Sequence, residues 1–230
     1  MADRLQRWSF ALGKLASTVF VGLFFRLRAY GITNLPKQGG ALLLSNHQSF
    51  LDPMLVGCPL SRPTFFMARD TLFRNPVLGA ILRAVNAFPV RRGRPDRQAI
   101  RTAIGRLAAG ELLVMFPEGT RTRDGELQPF KGGFRLLVRK ANVPVIPVIV
   151  DGAYEAWPRS RLLPRPGPVR VVYGRCIPAA EFESLSDDEA AERVAREMSR
   201  MLEELRRSVP GTRSVPGTDL SHIIRGGNGL

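Results

Sequence analysis

A chain of 230 residues with 44% apolar content is long enough for one sizeable domain and a short accessory segment, not for two large independent domains. Its 34 Lys and Arg against 20 Asp and Glu leave a net charge of +14, which directs the surface toward polyanions or anionic lipid headgroups. Two cysteines, Cys58 and Cys176, offer neither a disulfide framework nor a zinc-ligand cluster, and fit a reducing compartment.

In chain order, Trp8 to Phe25 is mostly apolar, interrupted by Lys14 and flanked by Arg4, Arg7, Arg26 and Arg28. The uninterrupted run, Leu15 to Phe25, has 11 residues, where a spanning helix needs about 20. The pattern predicts a segment lying in one leaflet with its arginines at the headgroups. The alternative is a short helix packed on the protein's own core. A cleavable signal peptide is not expected, because no small-x-small site follows Phe25.

Strands and helices then alternate with short connections, the pattern of an α/β domain whose sheet is covered by helices. Strands are predicted at Ala41 to Asn46, Thr64 to Ala68, Leu112 to Phe116, Val143 to Val150 and Val169 to Tyr173. Between them lie helices from Leu72 to Val85, Asp96 to Ala109 before Gly110, and Gly133 to Ala141. The strand VPVIPV carries Pro144 and Pro147, which predicts an edge strand or one broken by bulges. A last helix from about Asp187 to Arg207 opens with Ser186 and Glu189 at capping-box spacing. Beyond it, Ser208-Val209-Pro210-Gly211-Thr212 recurs as Ser214-Val215-Pro216-Gly217-Thr218, so a flexible tail is expected from about Val209. The division is 1–30 as a membrane-associated helical segment, 31–208 as a single domain with a central mixed sheet, and 209–230 as the tail.

Two stretches carry the chemistry. Asn46 to Pro53 reads NHQSFLDP, and since the other histidine, His222, falls in the Gly-rich tail, His47 is essentially the one candidate for proton transfer near neutral pH. On a continuous helix, residues five apart point about 140° away from each other, so His47 and Asp52 meet only across a bend. A strand ending at Asn46 and a helix starting at Pro53 supply one. Such a pair suits general base catalysis, the carboxylate fixing the imidazole tautomer. Asp52 before Pro53 reads equally as a helix N-cap.

The second stretch, Phe116-Pro117-Glu118-Gly119-Thr120-Arg121, follows the apolar strand LLVMF and opens on the same sheet edge. There Glu118 can accept from a hydroxyl, Thr120 can donate, Arg121 can clamp a phosphate, and Gly119 permits close backbone approach. An ordinary Pro/Gly turn with solvated charges is the structural alternative. Arg91, Arg92 and Arg94 follow AFPV, and Lys131 lies in FKGG, each a further possible anion contact. No nucleic-acid module or aromatic-basic platform accompanies the charge, which leaves no nucleic-acid partner expected.

NHQSFLDP, the arginines after AFPV, FPEGTR and VPVIPV stand in the order that marks the glycerolipid acyltransferases, and the chain most resembles the bacterial 1-acyl-sn-glycerol-3-phosphate acyltransferases over roughly Gly31 to Gly174. The resemblance implies one-step transfer from acyl-CoA or acyl-carrier protein to lysophosphatidic acid, without a resident cofactor or metal, at the cytoplasmic face of the cell membrane. It makes His47 the base and Asp52 its orienter, and gives the acceptor's glycerol phosphate to Glu118, Gly119, Thr120 and Arg121. It also assigns a phosphate contact to Arg91 or Arg92, with Arg91 favoured. Other acceptors, such as glycerol 3-phosphate, a lyso-ornithine lipid or a different lysophospholipid, stay open. The family often has glycine where this chain has Asn86, so the turn there is expected to differ.

Overall fold

The computed structural model describes residues 18–91 and 96–208. Its strands are β1 (Arg28–Tyr30), β2 (Ala41–Ser45), β3 (Thr64–Arg69), β4 (Ala87–Val90), β5 (Leu112–Met115), β6 (Val145–Asp151) and β7 (Arg170–Tyr173). They form one mixed sheet in the order β1-β7-β6-β2-β5-β3-β4. Strands β2 to β6 pair in parallel, so their carboxyl ends share one edge, whereas β7 runs antiparallel to β6 with β1 parallel to β7. Strands β7 and β1 therefore begin at the edge where the others end.

The helices are α1 (Asp52–Gly57), α2 (Pro76–Ala84), α3 (Arg97–Ala108), α4 (Phe134–Ala141), α5 (Ala153–Ala156) and α6 (Asp187–Ser208). Alternation along β2 divides the core: Leu42 and Leu44 face one layer with Leu107, Phe134 and Met198, and Leu43 faces the other with Leu55 and Val114. The strands of the sheet's middle are apolar on both faces, as expected where helices cover both sides. Residues 18–25 are helical and send Val21 and Phe25 into the second layer. That stretch of the apolar N-terminal run is thus core on one side, and Val19, Leu23 and Phe24 remain exposed.

Several expectations need correction. Strand β6 is neither an edge nor bulged but lies between β7 and β2. Pro147 is tolerated there because its missing N–H faces the point where β7 ends, and its carbonyl still accepts from Gly174 N at 2.8 Å. The expected helix from Leu72 starts instead at Pro76, with Asn75 accepting from Leu78 N, after a 3-10 turn over Asp70–Arg74. Strands β1 and β4, three and four residues long, are additional to the five expected. Asn86 adopts φ +61°, so it meets the same left-handed demand that a glycine would, and the turn into β4 keeps that geometry. The capping box forms as expected: Ser186 N donates to Glu189 Oε2 at 2.7 Å, and Glu189 N to Ser186 Oγ at 3.2 Å. The expected tail lies outside the described residues, as does Arg92.

Tyr173, fully buried at the end of β7, donates its hydroxyl to Val56 O at 2.7 Å, satisfying a carbonyl in the last turn of α1. Tyr173→Phe leaves that buried carbonyl unpaired and should destabilise the fold by about 1–3 kcal/mol in denaturant unfolding, with an unchanged m-value. A loss below about 0.5 kcal/mol would show that the bond does not anchor α1.

Candidate active site

The chain leaves the sheet at Asn46, whose side chain prolongs the β2–β6 pairing: Nδ2 donates to Val150 O at 2.8 Å and Oδ1 accepts from Val150 N at 2.7 Å. The amide takes the place of a peptide group, and the backbone of His47 is released to turn. Residues 47 to 51 then wrap around one buried carboxylate. Asp52 Oδ2 accepts from Gln48 N at 2.6 Å and Ser49 N at 2.8 Å, and stands 2.7 Å from His47 Nδ1.

An oxygen already accepting two main-chain N–H groups takes a third donor most readily, so the imidazole carries its proton on Nδ1. That leaves Nε2 as the ring's acceptor. Asp52 is the first residue of α1, following Leu51 at the N-cap, and makes no cap hydrogen bond. Its carboxylate is turned back into the 47–49 loop, so the capping role expected for it is not present.

The loop after β5 closes over the same histidine. His47 N donates to Glu118 Oε1 at 3.2 Å, Thr122 N donates to His47 O at 2.8 Å, and the Phe116 ring stacks on the imidazole with centroids 4.1 Å apart. Both main-chain groups and one ring face of His47 are held by residues 116–122 of that loop. Gln48 adds a further tie, donating to Gly125 O at 2.9 Å and accepting from Tyr154 N at 3.2 Å.

Within FPEGTR, Gly119 takes φ +71° in a turn closed by its N–H on Phe116 O at 3.0 Å. A Cβ placed there would lie 3.5 Å from Lys131 Nζ, so that ammonium sits beside the glycine. Thr120 is exposed. The Arg121 guanidinium lies 3.6 Å over the Phe50 ring, which joins the two motifs through a cation–π contact.

Arg91 is not brought to this cluster. It follows β4, two strands from β5, and its N–H donates to Asp96 Oδ2 at 2.9 Å with Nε 3.7 Å from the same oxygen. A nearer cation was missed. Continuing the β3–β5 register from Phe66↔Val114 sets the exposed Arg69 level with Pro117. Its signal was its place as the last residue of an apolar strand ending at the same edge.

Glu118 is 4% exposed, and its Oε2 has no hydrogen-bond partner among the described residues. Burial pushes its carboxyl from 4.5 up to about 8, against the His47 N–H and with the help of the Asp52 charge. In the unfolded chain it ionises near 4.5. The stability it contributes is therefore full below pH 4.5 and is lost as pH rises to about 8. Relative to Glu118→Gln, the wild type should lose up to about 4 kcal/mol across that interval in denaturant titrations. Parallel stability curves would contradict a neutral buried carboxyl.

The acyltransferase family profile matches residues 26–151. The chain is 30% identical over 202 residues to a chloroplastic 1-acyl-sn-glycerol-3-phosphate acyltransferase of Brassica napus, covering 86% of this chain and 58% of that protein. Against the 1-acyl-sn-glycerol-3-phosphate acyltransferase of Bacillus subtilis the identity is 28% over 191 residues, covering 83% and 93%. The chain thus spans less than two thirds of the plant relative and most of the bacterial one. In three dimensions it resembles the 1-acyl-sn-glycerophosphate (LPA) acyltransferase PlsC of Thermotoga maritima, with a TM-score of 0.74 and 27% identity over 89% of this chain and 83% of the other. The matched region contains β2, β5 and both motifs, with the His47–Asp52 dyad in the first, more than half of the residues, and the chain belongs to the acyltransferase family.

Proposed function

We propose that this protein transfers a fatty acyl group from an acyl thioester, acyl-CoA or acyl-carrier protein, to the free hydroxyl of 1-acylglycerol 3-phosphate, giving phosphatidic acid in phospholipid synthesis. The observation that carries the reading is the 2.7 Å contact between His47 Nδ1 and Asp52 Oδ2, which leaves Nε2 as a base beside a phosphate-competent loop. The names of the plant, Bacillus and Thermotoga relatives support this acceptor.

The chemistry proceeds in one transfer. Nε2 takes the hydroxyl proton as the oxygen attacks the thioester carbonyl, and Asp52 stabilises the imidazolium that forms. Collapse of the tetrahedral species breaks the carbon–sulfur bond, and the imidazolium returns the proton to the departing sulfur as the thiol. No covalent enzyme intermediate is required. Cys58, partly buried beyond α1, has no part in it.

Arg121 and, beside Gly119, Lys131 supply charge for the acceptor's phosphate, and the absence of a side chain at Gly119 admits the ligand to the main chain. Thr120 offers its hydroxyl from the exposed rim. Glu118, its carboxyl pushed up to about 8 by burial, turns the unengaged Oε2 to the glycerol oxygens. Arg69 is the next cation along the edge, and Arg91, held by Asp96, is the outermost of the set. We place the enzyme at the cytoplasmic face of the cell membrane, with the apolar N-terminal segment and the +14 charge holding it to an anionic leaflet.

His47→Ala should lower kcat by a factor on the order of 10² to 10⁴ while leaving the fold intact, measured as phosphatidic acid formed from lysophosphatidic acid and acyl-CoA. Full activity in that variant would end the proposal. Arg121→Ala should raise the KM for lysophosphatidic acid on the order of tenfold and spare the donor KM. Competition between lysophosphatidic acid and glycerol 3-phosphate in the same assay tests the acceptor, and preference for the latter would overturn it.

A further inference from the structure

We propose that the loop joining α5 to β7, residues 157–169, is a second bilayer contact, one that seats Leu162 and Leu163 in an anionic leaflet beside the active site. The proposal rests on the acceptor being a membrane lipid. The loop reads WPRSRLLPRPGPV, with three arginines and no acidic residue. Leu162 is 89% exposed and Leu163 is 73% exposed, although soluble surfaces seldom offer two adjacent bare leucines.

The leucines are held out by the loop's own bonds. Trp157 Nε1 donates to Arg161 O at 3.1 Å, Arg161 N to Pro158 O at 3.1 Å, and Arg165 N to Ala156 O at 2.7 Å. Arg159, Arg161 and Arg165 are all exposed around them. Apolar tips ringed by guanidinium groups match a surface whose outer layer is phosphate and whose interior is hydrocarbon.

Topology sets this loop on the right edge. The connection that contains it, α5 included, leaves β6 at Asp151 and enters β7 at Arg170, residues that pair with each other at the edge where β2 and β5 end. Two bonds fasten it to the N-terminal helix: Gly167 N donates to Phe24 O at 3.2 Å and Val169 N to Phe25 O at 3.0 Å. Leu23 and Phe24 on that helix are exposed as well. On the other side Ser49 Oγ donates to Trp157 O at 2.9 Å, and the Trp157 ring stands 6.0 Å from Phe50, the residue under Arg121. One continuous strip therefore runs from the N-terminal helix through the loop to the lip of the site. A bilayer touching that strip faces the dyad.

The test uses the full chain and vesicles of phosphatidylcholine with phosphatidylglycerol, against pure phosphatidylcholine. Leu162→Ser with Leu163→Ser should weaken co-sedimentation with the anionic vesicles on the order of tenfold or more. Neutralising Arg159, Arg161 and Arg165 to Gln should reduce the preference for anionic over pure phosphatidylcholine vesicles more than neutralising three arginines away from this edge, such as Arg139, Arg193 and Arg196. In a Trp8→Phe background, Trp157 is the one tryptophan left, and brominated lipid should quench it. The leucine variant should keep wild-type acyl transfer to acceptor in detergent micelles and lose it on vesicles. Unchanged vesicle binding, or an unquenched Trp157, overturns the proposal. A higher KM confined to an acyl-carrier-protein donor, with vesicle binding intact, also overturns it and marks the loop as a protein contact. If the wild type forms no phosphatidic acid in micelles, the acceptor reading fails, while binding and quenching still decide the loop.

Discussion

Three donors converge on a single carboxylate oxygen, Asp52 Oδ2, and the site follows from that convergence. Two are main-chain groups of Gln48 and Ser49, which bend the chain between β2 and α1 into a tight arc. The third is the imidazole, so the same atom that shapes the loop also orients the base. A hydrogen bond to a charged group is worth about 1.5–3 kcal/mol, and a carboxylate with zero exposure has little other compensation for leaving water. Losing Asp52 would therefore disturb loop and chemistry together.

The second motif acts on the first by ordinary backbone bonding. Because β2 and β5 are neighbours with Leu44 opposite Met115, the residues just beyond them emerge side by side. His47 and Glu118 then exchange a main-chain to side-chain bond, and Thr122 closes on the His47 carbonyl. In a parallel sheet, functional groups collect at the carboxyl edge. Here the antiparallel β7 extends this logic, since it and β1 begin at that edge and bring the N-terminal helix and the arginine loop to it.

Much of this was legible in the residues. NHQSFLDP and FPEGTR announced a turn after each of two apolar strands, and the alternation of strands and helices announced the α/β sheet. What stayed hidden was long-range. Nothing local in VPVIPV shows that Pro147 faces the end of β7, so proline argued for an edge when the strand is interior. The pairing of Asp52 with His47 across the bend was expected, but nothing in LDP decides between that and the cap, and the structure keeps the pairing alone. The three-residue β1, RAY, is too short for a period of two to register, and β4, AFPV, carries a proline that argues against a strand. Arg69 escaped because its one local signal, an arginine closing an apolar strand, gains relevance only when the register sets it level with Pro117.

The central claim is that Asp52 fixes His47 with its proton on Nδ1, leaving Nε2 free to accept. The sequence contains only one other histidine, His222, so a His222→Gln protein labelled with ¹⁵N-histidine reports His47 alone. Nitrogen chemical shifts above the pH at which the ring deprotonates should show a pyrrole-type Nδ1 and a pyridine-type Nε2, a preference lost in Asp52→Ala. A ring protonated on Nε2, or an equal mixture of tautomers insensitive to Asp52, would contradict it.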